Sequence, residues 1–168
     1  MKLFPTLPLA AALLTALPFS AQTTGTTSSA TSASGFDQIT AGELQARASE
    51  MLKQAQASPA GIASVTLKKY PNHFTMLTVR TRSGGAEQHD HYSDIFVALD
   101  GEATEVTGGS IVDSKESSPG ELRGSRVDGG TGHVMHKGDI VHISPGTPHQ
   151  TVVAPGKTFT YYVIKVAE

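Results

Sequence analysis

The chain has 168 residues, 38% of them hydrophobic and 17% charged, with a formal charge of -2 at pH 7. That length suits one core rather than two, and the near-neutral balance offers no basic excess for phosphate backbones or anionic membranes, so nucleic acid is not expected as a partner. Cysteine is absent, which excludes disulfides, thiolate metal sites and a thiol nucleophile, so any metal must be held by His and carboxylate.

The N-terminus reads as an export signal. Lys2 precedes an apolar stretch from Leu7 to Leu17, followed by Pro18 and the small residues Ser20 and Ala21, the layout of a secretory leader cut after Ala21. Residues 1–21 are thus expected to be removed, leaving a periplasmic or secreted protein; the alternative, given the large Phe19 three residues before the cut, is an uncleaved N-terminal anchor. The apolar stretch falls short of the roughly 20 residues of a transmembrane helix, and no stable membrane span is expected after cleavage. Residues 22–35 are almost all Thr, Ser, Ala and Gly, too poor in apolar surface to offset the entropy of ordering, and read as a linker.

Residues 36–60 form the next segment. Thr40 and Glu43 stand at capping-box spacing, and Leu44, Ala48, Met51, Leu52 and Ala55 recur at helical intervals before Pro59, predicting one amphipathic helix over 41–57. From residue 61 to 168 the composition turns to Val, Ile, Thr and aromatic residues broken by Gly and Pro clusters. Strands are predicted at 62–69, 74–82, 88–91, 95–99, 103–107, 133–136, 140–144, 151–153 and 159–166. Many short strands behind one helix point to an all-β sandwich or closed barrel. Between Gly108 and Gly132 the alternation fails amid Gly108, Gly109, Gly120, Gly124, Gly129, Gly130 and Gly132, predicting a long loop or flap.

Two segments carry chemistry. In Glu87-Gln88-His89-Asp90-His91 the two histidines are separated by one residue, so on an extended strand they project from one face about 6–7 Å apart and suit one metal ion; two surface histidines among solvated acids is the competing reading. Asp94 follows within reach if the chain bends. In Gly138-Asp139-Ile140-Val141-His142-Ile143-Ser144-Pro145-Gly146-Thr147-Pro148-His149 a glycine opens a strand, a Pro-Gly turn closes it, and His149 begins the next.

Together these segments resemble the paired motifs of the cupin superfamily. Gly84 or Gly85, His89, His91, Asp94 and Gly101 fill the first motif, and Gly138, Gly146 and His149 the second. Asp94 stands where the family usually has Glu, one residue closer to the second histidine. The resemblance spans roughly residues 66–166 and implies a jelly-roll β-barrel of six to eight strands behind the one short helix. At its mouth, it implies, His89, His91, Asp94 and His149 hold one divalent metal ion. Mn or Fe fits that donor set best, with Zn and Ni as alternatives. The implied activity is that of a metal-dependent enzyme on a small molecule, of oxygenase, isomerase or lyase type; the alternative is a non-catalytic cupin of the cell envelope that binds a small ligand or metal. Monomer and homodimer are both compatible with this reading.

The other histidines read as non-ligands: His142 has the parity opposite to its apolar neighbours, His133 and His136 fall on opposite strand faces, and His73 lies in a turn. Tyr92, Gln150, Tyr161 and Tyr162 are candidate polar contacts in a pocket. Arg80, Arg82, Arg123 and Arg126 suit a carboxylate or phosphate ligand, although solvated arginines on strand edges are commoner. No Gly-x-Ser-x-Gly nucleophile elbow is present.

Overall fold

In a computed structural model residues 35–168 are described. The leader expected at 1–21 and, apart from Gly35, the linker expected at 22–35 lie outside them. The chain divides into two units, Met1–Asp37 and Gln38–Glu168. Of the first, only Gly35 to Asp37 are described, as exposed irregular chain.

The second unit begins with helix α1, Ala41–Ala57. Thr40 caps it as its spacing predicts: its side chain accepts from the Glu43 amide, and its own amide donates to Glu43 Oε2 at 2.8 Å. These bonds satisfy two amides that a helix start leaves without partners. The expected apolar stripe faces inward, with Met51 and Ala55 buried and Leu44, Ala48 and Leu52 packed beside Leu77 and Val79.

Twelve strands follow: β1 (Ile62–Lys69), β2 (His73–Arg80), β3 (Ala86–His89), β4 (Tyr92–Thr107), β5 (Ser110–Val112), β6 (Lys115–Ser118), β7 (Glu121–Gly124), β8 (Arg126–Asp128), β9 (Thr131–His136), β10 (Ile140–Ile143), β11 (His149–Val152) and β12 (Phe159–Ala167). All pairings are antiparallel. One sheet orders as β1-β2-β12-β4-β10 and the other as β9-β4-β11-β3-β7-β6. β4 belongs to both, so the ten strands wrap into a jelly-roll barrel, more than the six to eight expected.

The sharing turns on Gly101. Residues 95–99 and 103–107, expected as separate strands, are one strand that bends there. Gly101 has a φ of 78°, and a Cβ on it would lie 2.1 Å from the Thr158 carbonyl oxygen, so only glycine fits the bend. The long loop expected between Gly108 and Gly132 is corrected: it is built of β5 to β8, with β5 paired to β8 and β6 to β7.

Strand alternation sorts the interior. On β2, Leu77 and Val79 face the helix, while Met76, Thr78 and Arg80 face the barrel cavity. The barrel core proper is Phe96, Ala98, Ala103, Met135, Ile143, Val153, Phe159, Tyr161 and Val163. Among the described residues no helix is long and apolar enough to cross a membrane.

One core residue is an acid. Glu105 is fully buried; its Oε2 accepts from the Thr151 hydroxyl at 2.7 Å and its Oε1 has no hydrogen-bond partner. Burial pushes its pKa up to about 7 against the opposing Thr151 bond. The folded state therefore prefers the protonated acid, and stability falls as pH rises from the ordinary value of 4.5 to about 7. Glu105→Gln keeps an acceptor for Thr151 and removes this loss, on the order of 3 kcal/mol at most. Denaturant melts at pH 4.5 and pH 8 should show the variant gaining on wild type only at the higher pH; equal gains at both contradict the assignment.

Candidate metal centre

The centre is assembled from both sheets. β3 ends at His89, and Glu87, two residues earlier, shares its face. His149 opens β11 directly opposite Glu87. The turn that delivers His149 is tied to β3, because Gly146, at a φ of 71°, donates its amide to the His89 carbonyl at 2.8 Å. From the other sheet comes Asp94, near the start of β4, directly across from Lys165 on β12.

Three of the four residues singled out from sequence meet. Asp94 Oδ2 lies 3.4 Å from His89 Nε2 and 3.5 Å from His149 Nε2, and all three side chains are at most 5% exposed. His91 does not join them. The strand stops at His89, Asp90 donates its amide to the Gly120 carbonyl, and the bend at 90–91 leaves His91 exposed on the surface against Gly120. Glu87 stands beside them instead, its Oε2 3.4 Å from His89 Nε2. Glu87, His89 and His149 each bring a donor atom within 4.8 Å of one another. The signal for Glu87 was in the sequence: the alternating pair slides back two residues, which lengthens the short path to Asp94.

Both imidazoles are oriented through Nδ1. His89 Nδ1 donates to Glu121 Oε2 at 2.5 Å and His149 Nδ1 donates to the Thr147 carbonyl at 3.0 Å. A carbonyl or an ionised carboxylate can only accept, so each Nδ1 carries the proton and each Nε2 is turned inward. This is the outer arrangement that steers histidines onto metals. Glu121 was missed in sequence because it lies in the glycine-rich stretch read as loop. Arg123, beside it on β7, pairs with Glu87 and with Glu121.

The charges are balanced around a centre without a strong internal hydrogen bond. His89 Nε2 is buried and makes no hydrogen bond, although two carboxylate oxygens stand 3.4 Å away. Burial alone pushes the His89 pKa down, but the Asp94 and Glu87 carboxylates outweigh it and hold it at about 9. Glu87 is held at about 2 because His89 and Arg123 outweigh its burial. Asp94 sits well below the usual carboxylate range, as His149, His89 and Lys165 overcome its desolvation. Donors about 2.1 Å from a shared tetrahedral ion stand about 3.4 Å apart, a spacing that His89 Nε2 keeps from Glu87 and from Asp94; the set that closes on a single point is Glu87, His89 and His149, with Asp94 adjoining both histidines.

The remaining histidines stay apart. His133 and His142 are exposed, His136 pairs with Glu102, and His73 stacks on Tyr70. Gln150 serves the scaffold, donating to the Gly84 carbonyl and accepting from the Val127 amide.

In the metal-free protein a proton on His89 stands between the carboxylates. A folded-state pKa raised from 6.5 to about 9 means stability that is full below 6.5 and is lost as pH rises through 9. Chelator-treated protein should lose thermal stability across that interval, and His89→Gln should flatten the loss; an unchanged slope in the variant places the titration elsewhere.

No family model matches the sequence and no curated protein sequence matches it. Solved structures do. A cysteine peptidase from the latex of Thevetia peruviana is 17% identical over 66% of this chain and 64% of that one, with a TM-score of 0.45. A Cupin 2 conserved barrel domain protein from Salinispora arenicola is 22% identical over 66% and 82%, TM-score 0.46. An oxalate oxidase in complex with glycolate is 17% identical over 66% and 53%, TM-score 0.48. The chain thus matches less than two thirds of the peptidase and about half of the oxidase, and these likenesses are of fold alone. By its strand order and by the closure of two sheets through β4, the chain is an antiparallel jelly-roll barrel, the architecture that the resemblance of its histidine segments to cupin motifs implies.

Proposed function

We propose that this protein binds one divalent metal ion through Glu87, His89, Asp94 and His149 and uses it to act on a small molecule at the barrel mouth. The observation that carries the proposal is His89 Nε2, buried and without a hydrogen bond, aimed between two carboxylates while Nδ1 is fixed by Glu121. A buried polar atom left this way is costly unless something fills the centre. Two imidazoles and two carboxylates form a harder donor set than three imidazoles and one carboxylate, which favours Mn or Fe, with Zn and Ni as alternatives. Such an ion supplies Lewis acidity or a site for water, dioxygen or a chelating substrate. Around it, Lys165 takes the second oxygen of Asp94 and Arg123 takes Glu87, so both carboxylates are held in position.

A cavity of about 360 Å³ opens beside these residues, lined by Met76, Phe96 and Val163 as well as by Glu87 and Asp94, at the small end of ligand-site sizes. This supports a small-molecule ligand in reach of the metal. Export belongs to the same reading and is supported by the leader-like residues 1–21.

Untagged protein should carry about one equivalent of a transition metal by elemental analysis. Glu87→Ala, His89→Ala and His149→Ala should each empty the site, while His91→Ala and His142→Ala leave it filled. Less than about a tenth of an equivalent in wild type defeats the proposal. Loss in His91→Ala with retention in Glu87→Ala returns His91 to the ligand set. For export, N-terminal sequencing of protein from the periplasm or medium should begin at Gln22; protein retaining Met1 in the cytosol contradicts it.

A further inference from the structure

Three cations line the cavity next to the metal centre: Arg123, Lys165 and Arg80. The first two already have carboxylates, Arg123 with Glu87 and Glu121, Lys165 with Asp94. Arg80 has none. It is 7% exposed, and among the described residues no carboxylate lies within ion-pair distance of it; Glu87 and Glu105 act on it only through space. Its side-chain hydrogen bond runs from Nε to the buried Tyr161 hydroxyl at 2.9 Å, which leaves the outer edge of the guanidinium, Nη1 and Nη2, for another partner.

That end of the side chain lies against a glycine. A Cβ on Gly84 would lie 2.5 Å from Arg80 Nη1 and 3.0 Å from Nη2, so the guanidinium rests against bare backbone where any other residue would displace it. Tyr161 and Arg80 stand on neighbouring strands, β12 and β2, and both face the cavity. The Glu87 and Glu105 carboxylates favour a charge here only from a distance, so holding it in the interior without an ion-pair partner still carries a cost. The cost makes sense where an anion arrives from outside.

We propose that Arg80 is the anion anchor of the cavity: its Nη1 and Nη2 receive the carboxylate of a small organic acid whose far end reaches the metal centre. A planar guanidinium with one edge free matches the two oxygens of a carboxylate. One unpaired cation balances one negative charge, which favours a carboxylate over a doubly charged phosphate. The reach to the metal rests on the function proposed above; the anchor itself does not.

The test is titration of the full-length protein with malonate and with inorganic phosphate by calorimetry, in metal-free and metal-loaded forms, alongside elemental analysis. Malonate should bind wild type, more tightly in the loaded form. Arg80→Gln should weaken it at least about tenfold while metal content stays at the wild-type level, and Tyr161→Phe, a milder change, should weaken it less. A folded Arg80→Gln protein that binds malonate as wild type does overturns the anchor, as does wild type that binds malonate in neither form. Phosphate binding tighter than malonate overturns the carboxylate assignment. If wild type holds no metal but binds malonate through Arg80, the anchor stands and the metal centre falls.

Discussion

One carboxylate oxygen, Asp94 Oδ2, faces two imidazoles that arrive from the opposite sheet, and the site depends on that meeting. Asp94 reaches it because β4 serves both sheets and bends at Gly101, which brings the start of the strand over β3 and β11. Its other oxygen is taken by Lys165 directly across on β12, so the side chain cannot turn away without breaking a buried ion pair. Removing one partner of such a pair leaves an uncompensated charge in the interior. The scaffold therefore fixes the acid first, and the histidines are set against it by their own Nδ1 bonds.

Much of this arrangement was legible in the chain itself. The helix at Ala41–Ala57, with its Thr40 cap and apolar stripe, followed from local rules that act within a few residues. So did the turn through Pro145 and Gly146 that places His149. His91 shows where such rules run out. Alternation by two puts His89 and His91 on one face only while the strand lasts, and the strand ends at His89 because the chain must leave one sheet for the other. That exit is set by the Asp90 amide bonding to Gly120, thirty residues on, and no local pattern announces it. The short spacing from His91 to Asp94 was the visible trace of it.

The segment between Gly108 and Gly132 was illegible for a different reason. Its strands are three or four residues long and none of their residues is buried, so there is no apolar alternation to detect. Its glycines permit close approach: a Cβ on Gly124 would meet the Val112 carbonyl oxygen at 2.3 Å. Composition suited to a loop is here composition suited to a tight ribbon. The ribbon's contribution is chemical, since Glu121 on β7 sits across from His89 and accepts the hydrogen bond of its Nδ1.

The barrel interior is thus divided by polarity. Phe159, Ala98 and Met135 pack as an ordinary core, while Arg80, Glu87, Asp94 and Lys165 line a cavity that Phe96 of the core also reaches. Local choices that oppose stability collect around that cavity and the adjoining histidines: a buried guanidinium without an ion-pair partner and a buried imidazole nitrogen without a hydrogen bond. A fold selected for stability alone would replace them with apolar residues of similar volume, a change that is often neutral or stabilising. Their concentration around one cavity, while the helix packs an ordinary apolar face, is the pattern expected where stability is given up for binding.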